Sequence, residues 1–280
     1  MPIDSLGVLL ECNPDFRPSF SSGFHIRGLF YKTLKSVDPG FSSWLHEYGG
    51  LAPFSVSPLI RVGPGLYLFK ITSYLTKLSD MLVRTFGRLS EVELLNKRFR
   101  VLEISYARLD LDRLTRDSKP YTRYELEFLS PTCFRRPCPY IPLHAMGLMA
   151  SFMRFMGKPK SHYRFLPLPD PILMLRNLKR QWDQYAGLSL KIHRFSRWLE
   201  EGGVAISGVS DIRTYKLFNR AKGMFFVGFT GRVRLSLPAD IFREDSAKAV
   251  NVLLKVGEKT QVGVNRTAGF GMYKILKMLE

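Results

Sequence analysis

Apolar positions in the first part of the chain switch between a period of two and a period near 3.6, and the switches mark out elements. Leu6 to Glu11 predicts a strand, and the Pro- and Ser-bearing stretch from Asn13 to Ser22 predicts a loop. From Gly23 to Val37, residues Ile26, Leu29, Phe30, Leu34 and Val37 share one helical face, while Arg27, Tyr31, Lys32 and Lys35 share the other. A shorter helical turn is expected around Phe41 to Glu47. Two strand-like runs follow, Phe54 to Val62 and Leu66 to Thr72, and Gly63-Pro64-Gly65 between them reads as a hairpin turn. Tyr74 to Leu89 has helical spacing, and Arg98 to Leu109 alternates in part as a strand does. Strand, helix, strand, strand, helix, strand is the ferredoxin-like order, an antiparallel sheet with helices on one face. The charged, Pro-ended stretch Asp110 to Pro120 reads as a linker, so a first domain is expected at 1–115.

The second half repeats this plan with an enlarged first crossover. A strand is expected at Tyr124 to Leu129, then a Pro-rich stretch from Pro131 to Pro142 and a helix over Leu143 to Met156. A long helical region covers Pro171 to Glu200, with a break at Gly187, and Gly202-Gly203 stops it. Extended segments at Val204 to Tyr215 and Gly223 to Leu237, a helix from Ala239 to Val256 and a strand at Gly271 to Leu276 complete the second domain, 121–280. The fold class predicted is α+β: two tandem ferredoxin-like domains with antiparallel sheets and a helical insertion in the second.

Charge changes the picture from fold to partner. The chain of 280 residues has 42 Lys and Arg against 24 Asp and Glu, a formal net charge of +18, a self-repulsion that a polyanion would offset. Nucleic acid is the leading partner and an anionic membrane surface the second, although no amphipathic anchor is found for a membrane. The N-terminus lacks a basic region ahead of a long apolar run, and the Met-rich stretch from Ala145 to Phe155 is too short to span a bilayer, so a soluble cytoplasmic protein is expected. Three cysteines, Cys12, Cys133 and Cys138, fit neither a disulfide framework nor a four-ligand zinc site. Cys133 and Cys138 could share a ligand site with His144; unpaired thiols are the plainer reading. No metal or cofactor is expected. Asp110 and Asp112, flanked by Arg108 and Arg113, read as strand-end salt bridging rather than as a metal pair.

The most specific local feature is the segment from Gly257 to Gly271, with Gly263, Asn265, Gly269 and Gly271 at its turns and Lys259 and Arg266 as its cations. Glycines permit close backbone approach, and N–H groups at a turn can cradle a phosphate. A tight connection before the last strand explains the same residues. A dinucleotide fold is not expected, since nine residues follow Gly271 and a strand, helix and strand unit needs about thirty.

With a helix before it and a strand after it, this segment resembles the glycine-rich signature of the CRISPR repeat-processing endoribonucleases, the Cas-six family of the RAMP superfamily. Gly28-Leu29-Phe30-Tyr31, then Asp38-Pro39, Leu45-His46-Glu47 and Phe54-Ser55-Val56-Ser57-Pro58-Leu59, is similar to the family's N-terminal pattern in order and spacing. Leu129-Ser130-Pro131-Thr132 resembles the opening of its second domain, and Gly228-Phe229-Thr230-Gly231 a strand late in that domain. The resemblance implies cleavage of CRISPR precursor RNA within its repeats by attack of a ribose 2′-hydroxyl on the adjacent phosphate, without a metal. It also implies repeat RNA as partner, effector-complex subunits and a second copy of the chain as further candidates, and roles for a tyrosine and a histidine that match Tyr31 and His46. The family's lysine has no match, because the chain reads Gly50-Leu51-Ala52-Pro53 there. Arg27, Lys32, Lys35, Arg232 and Arg234 are the candidate replacements.

Each residue has a plainer alternative beside this one. A histidine, with a reference pKa of about 6.5, can exchange protons at neutral pH, but a hydrogen-bonded structural role is open to His46 as well. Tyr31 stands on the basic face, whereas helix aromatics usually pack. His25, His144, His162 and His193 read as surface or core residues. Arg213, Lys216, Arg220, Lys222, Arg232 and Arg234, interleaved with Tyr215, Phe218 and Phe225, suit an RNA surface in which cations meet phosphates and rings stack on bases; a solvated hairpin is the alternative. Arg176, Lys179, Arg180, Lys191, Arg194 and Arg197 read as a solvated helix face. A non-catalytic RAMP-type RNA-binding subunit shares the basic surface and needs no proton-transfer residues. A basic structural protein such as a ribosomal component accounts for the charge but not for the ordered motifs.

Overall fold

The structure, a computed structural model, describes residues 2–137, 163–190, 192–219 and 223–280. The helix expected over Leu143 to Met156, Cys138, His144, His162, Lys191, Arg220 and Lys222 lie outside the described residues.

In the first half, β1 (Pro2–Glu11) pairs antiparallel with β4 (Leu66–Ser73) on one side and β6 (Lys97–Asp110) on the other. Two short strands, β2 (Phe54–Val56) and β3 (Ile60–Gly63), add to the outer side of β4, and β5 (Glu91–Leu94) adds to β6. Leu6, Val8 and Leu10 of β1 alternate inward with Tyr67, Phe69 and Ile71 of β4. Against them lie α1 (Ser22–Val37), through Ile26, Phe30 and Leu34, and α3 (Thr76–Phe86), through Leu78, Leu82 and Phe86. Burying each such side chain contributes about 1.5–3 kcal/mol, which is what holds two polar-faced helices on the sheet. A helix α2 (Pro39–Glu47) packs beside α1. Pro39 opens it and the Asp38 carboxylate caps it, accepting from the Phe41 N–H at 2.8 Å.

The stretch read as a linker contains α4 (Leu111–Arg116), capped by Asp110, and its Leu111 is buried in the core of the second half together with Ile3 and Tyr74. The charged sequence hid two apolar docking residues, Leu111 and, partly buried beside the same core, Leu114.

The second sheet runs β10 (Ala205–Asn219), β11 (Met224–Ser236), β7 (Arg123–Thr132), β12 (Tyr273–Leu279), the same antiparallel order as the first. Its helices are α5 (Pro171–Tyr185), α6 (Phe195–Glu200) and α7 (Glu244–Thr260), and Leu178 and Trp182 of α5 meet Val250 and Leu254 of α7 in the same core. The expected long helix breaks as predicted at Gly187, whose φ is +65°. The Pro-rich stretch is not all loop: β8 (Phe134–Pro137) pairs with β9 (Tyr163–Leu166). Two tandem ferredoxin-like units are therefore the architecture. No helix among the described residues is long and apolar enough to cross a membrane.

Candidate active site

Tyr31 and His46 come from different helices and meet where α1 and α2 lie side by side. The two rings stand edge to face, with centroids 5.0 Å apart and planes at 88°. Tyr31 is half-buried because the rings of Phe30 and Phe54 wall it on the core side, at 5.0 and 6.0 Å, and His46 is exposed at the last turn of α2. The phenol donates a long hydrogen bond, 3.4 Å, to the Leu45 carbonyl. Burial pushes the Tyr31 phenol above its ordinary range, and the guanidinium of Arg27, one turn earlier, only partly opposes this. Tyr31 is thus a proton or hydrogen-bond donor at neutral pH.

Arg27, Tyr31 and Lys35 follow one another at four-residue steps along α1 and share a face. Arg27 is half-buried over the ring of Phe24, 5.7 Å from its centroid, and Lys32 and Lys35 are exposed. Burial lowers the Arg27 pKa, yet a guanidinium stays charged. Arg232 and Arg234 lie on the second sheet instead. Arg232 donates to Glu127 at 3.1 Å, and Lys274 reaches the same carboxylate at 2.8 Å; the Lys274 hydrogen bond, followed by that of Arg232, holds Glu127 below the usual carboxylate range despite burial.

The glycine-rich segment differs from its expectation in a specific way. Gly257, Glu258, Lys259 and Thr260 are the last turn of α7, so the loop proper starts at Gln261. Gly263, Gly269 and Gly271 all have φ between +82° and +89°. A Cβ on Gly263 would lie 2.4 Å from the Cys133 carbonyl oxygen, one on Gly269 2.8 Å from the Pro58 nitrogen, and one on Gly271 1.7 Å from the Val262 carbonyl oxygen. The neighbour each glycine admits is the protein's own backbone. Gly23, at the start of α1, is equally constrained, since its Cβ would lie 2.0 Å from the Ala268 oxygen. The loop is therefore the joint against which α1 and the β2–β3 connection seat.

Arg266 belongs to that joint. Its side chain is 4% exposed and donates to the carbonyls of Thr260 and Ala52, both at 2.9 Å. Tyr185 donates to Leu51, the Tyr48 hydroxyl accepts from Gln184 at 2.9 Å, and Gln261 donates to Val56 at 2.8 Å. The chain that leaves His46 is thus held from residue 48 to residue 56 by side chains of the second half. The sequence reading missed these tethers, although Gln181 lies buried in the apolar face of α5 and a buried polar group of this kind needs partners. Lys259 points elsewhere, toward Lys255, Glu258 and β12. Asn265 is exposed, in a left-handed conformation at φ +59°.

The β10–β11 hairpin lies on the same joint. Phe226 stacks on Phe270 at 4.3 Å and Tyr215 meets Phe20 edge-on at 5.1 Å. The opposite face shows solvent Phe218 and Phe225, 48% and 61% exposed, with the Lys216 ammonium 4.0 Å from the Phe225 ring centroid. Arg213 is exposed on the same hairpin. Among the described residues no three His, Cys, Asp or Glu side chains converge as metal ligands.

A family model described as CRISPR-associated endoribonuclease Cas6 matches residues 126–273. Solved structures agree in fold. A Cas6 product complex superposes with a TM-score of 0.74 at 22% identity, covering 99% of this chain and 100% of that one. A Thermus thermophilus Cas6 gives 0.68 at 20% identity, covering 99% and 98%. The product of a Cas6-related gene from Pyrococcus furiosus gives 0.60 at 14% identity, covering 98% and 99%. No curated protein matches the chain.

Proposed function

Because the chain belongs to the Cas6 family of CRISPR-associated endoribonucleases, we propose that it cuts precursor transcripts within their repeats by using the RNA's own 2′-hydroxyl as nucleophile. The 2′ oxygen attacks the neighbouring phosphorus, the bond to the 5′ oxygen of the next nucleotide breaks, and the products carry a 2′,3′-cyclic phosphate and a 5′-hydroxyl. An internal nucleophile needs no metal-activated water. It needs proton transfer at the 2′ and 5′ oxygens and positive charge for the crowded phosphorane.

The single observation that carries this reading is the Tyr31–His46 contact, 5.0 Å between rings at the exposed end of α2. His46 moves the proton. Tyr31, kept protonated by burial, donates to a phosphate oxygen, and Arg27 and Lys35, one turn to either side of it, supply charge. The exposed Lys216, Phe218 and Phe225 of the hairpin hold RNA away from the reacting phosphate by charge and stacking. The two functional units are 1–115, with the proton-transfer residues, and 121–280, with the hairpin.

The test is the chemistry of the ends. Repeat RNA incubated with the protein in excess chelator is expected to give a 5′ fragment with the mass of a cyclic phosphate and a 3′ fragment that a kinase labels directly. Fragments bearing a 5′-phosphate, or cutting that requires added metal, would refute this mechanism. Tight binding without any cutting would favour the RNA-binding subunit.

A further inference from the structure

A cleft of about 490 Å3 opens between the two halves, beginning four residues beyond His46. One wall is Gly50, Leu51 and Ala52, the opposite wall is α5, and residues 263–267 form the floor. The first-domain wall carries no charge. The charge comes from across the cleft.

Most cations of α5 and α6 are neutralised where they stand. Lys179 is bonded to Asp183 at 2.6 Å, Arg197 to Glu201 at 2.7 Å, and Arg176, at the cleft, to Glu200. Arg180 is exposed, lines the cleft and has no carboxylate within ion-pair reach among the described residues. Arg135 lines it too, its guanidinium 5.8 Å from the ring of Phe165. Beneath them the buried guanidinium of Arg266 is satisfied only by carbonyl oxygens, so its charge has no counter-charge among the described residues. Three unneutralised guanidinium groups around a concave, low-dielectric wall focus a positive field into it, and an anion there relieves their mutual repulsion.

Size then selects the anion. The volume falls within the range of small-molecule sites, roughly 300–1,000 Å3, which admits one or two nucleotides of a single strand and excludes a double helix. We propose that this cleft seats an unpaired phosphodiester of the RNA beside the cleavage point, with Arg180 as its anchoring cation. The inference rests on the RNA-cleavage reading and adds to it a requirement: the RNA flanking the cut is single-stranded where it crosses the cleft. It also places the cation that the Gly-Leu-Ala-Pro segment lacks on the second domain.

The experiment measures affinity for end-labelled repeat RNA in chelator at a series of salt concentrations, for the wild type, Arg180→Ala, Arg180→Lys and Arg197→Ala, with single-turnover cleavage on the same samples. Arg180→Ala is expected to weaken binding roughly tenfold and to flatten the log–log salt dependence by about 0.7, the value for one single-strand contact. Arg180→Lys restores the slope, and Arg197→Ala changes nothing. Annealing a complementary oligonucleotide over the flank abolishes the difference between wild type and Arg180→Ala. Unchanged affinity and slope in Arg180→Ala, with normal cleavage by the wild type, overturns the cleft proposal and leaves the endonuclease reading intact. A wild type that binds but never cuts, with Arg180→Ala still impaired, does the reverse. If Arg180→Ala melts early, Arg180→Gln, which keeps the side-chain bulk, carries the comparison.

Discussion

Replacing Gly271 by alanine tests whether the glycine-rich segment is built for the chain's own packing. Gly271 has φ +82°, a conformation costing an L-residue about 1–2 kcal/mol. Its Cβ would lie 1.7 Å from the Val262 carbonyl oxygen, far inside the 3.0 Å that real Cβ contacts almost never breach, so the two backbone segments must separate by more than 1 Å. That movement breaks the bonds from Val262 N–H to the Gly271 carbonyl, 3.0 Å, and from Gly271 N–H to Pro131, 3.3 Å. At about 1 kcal/mol each, the total loss is about 3–4 kcal/mol, a fall in Tm on the order of 10 °C for a chain of this size. Two other glycines calibrate the result. Gly202 has φ +94° but nothing within 4 Å of its Cβ, so Gly202→Ala should lose only the conformational cost. Gly28, in α1 with open space around it, should gain about 0.5–1 kcal/mol as alanine. Thermal unfolding followed by circular dichroism without RNA gives the order Gly28→Ala, wild type, Gly202→Ala, Gly271→Ala, from most to least stable. A Gly271→Ala protein that melts with the wild type and fails only in RNA binding would refute the packing argument and return the segment to phosphate recognition.

Four further outcomes follow from the same structure. Tyr31→Phe removes only a 3.4 Å hydrogen bond, so it should cost less than about 1 kcal/mol of stability while slowing cleavage at least tenfold; equal rates would remove Tyr31 from the mechanism. Since the Tyr31 pKa is raised above the ordinary 10.0, the difference phenolate spectrum between wild type and Tyr31→Phe should have its midpoint above pH 10.0, and a midpoint below it would contradict the proposed role as donor. Asp4 is buried at 2% exposure; burial alone would raise its pKa, but hydrogen bonds from Arg108 at 2.7 Å and Tyr106 at 2.7 Å hold it below 3.8. Its contribution is therefore present above the unfolded value and lost as pH falls through the folded one: Asp4→Asn should destabilise by about 1–3 kcal/mol at pH 7, with the gap to wild type closing as the pH falls below 3.8, and a gap independent of pH would exclude the ion pair. Burial pushes the Cys133 thiol up to about 11, so mass mapping after alkylation at pH 8 should find it unmodified in the native protein and labelled after unfolding.

Much of this was legible in the chain because its signals were local. Ile26, Phe30 and Leu34 mark α1 by spacing alone, and Gly63-Pro64-Gly65 marks the turn before β4, so both crossovers and the ferredoxin-like order could be read directly. The misses have physical reasons. Glu91–Leu94 is four residues long, and its turn at Leu95-Asn96 takes φ of +53° and +57° without the glycine that usually announces such a turn. Leu111 gave no sign that the charged stretch around it docks. In the candidate site, Tyr31 and His46 were found through a resemblance, while their edge-to-face contact depends on how α2 lies on α1. Whether Arg266 and the loop glycines face a ligand or the chain itself is decided by residues far away in sequence, Ala52 and Pro58 among them, and no local pattern encodes it. Arg180 looked like one of six similar cations; its place on the cleft, together with the pairing of Arg176, Lys179 and Arg197 to Glu200, Asp183 and Glu201, sets it apart.

The cleavage we propose for this chain runs through the RNA's own 2′-hydroxyl with His46 moving the proton. Single-turnover cleavage of repeat RNA in excess chelator tests it most directly, comparing wild type with His46→Ala and an all-ribose substrate with one carrying 2′-deoxyribose at the scissile position, with affinity measured for each. One cut by the wild type, loss of cutting in both altered cases, and affinities that stay within a few-fold are expected. Cleavage of the deoxy-substituted RNA, or an undiminished rate in His46→Ala, would contradict this mechanism.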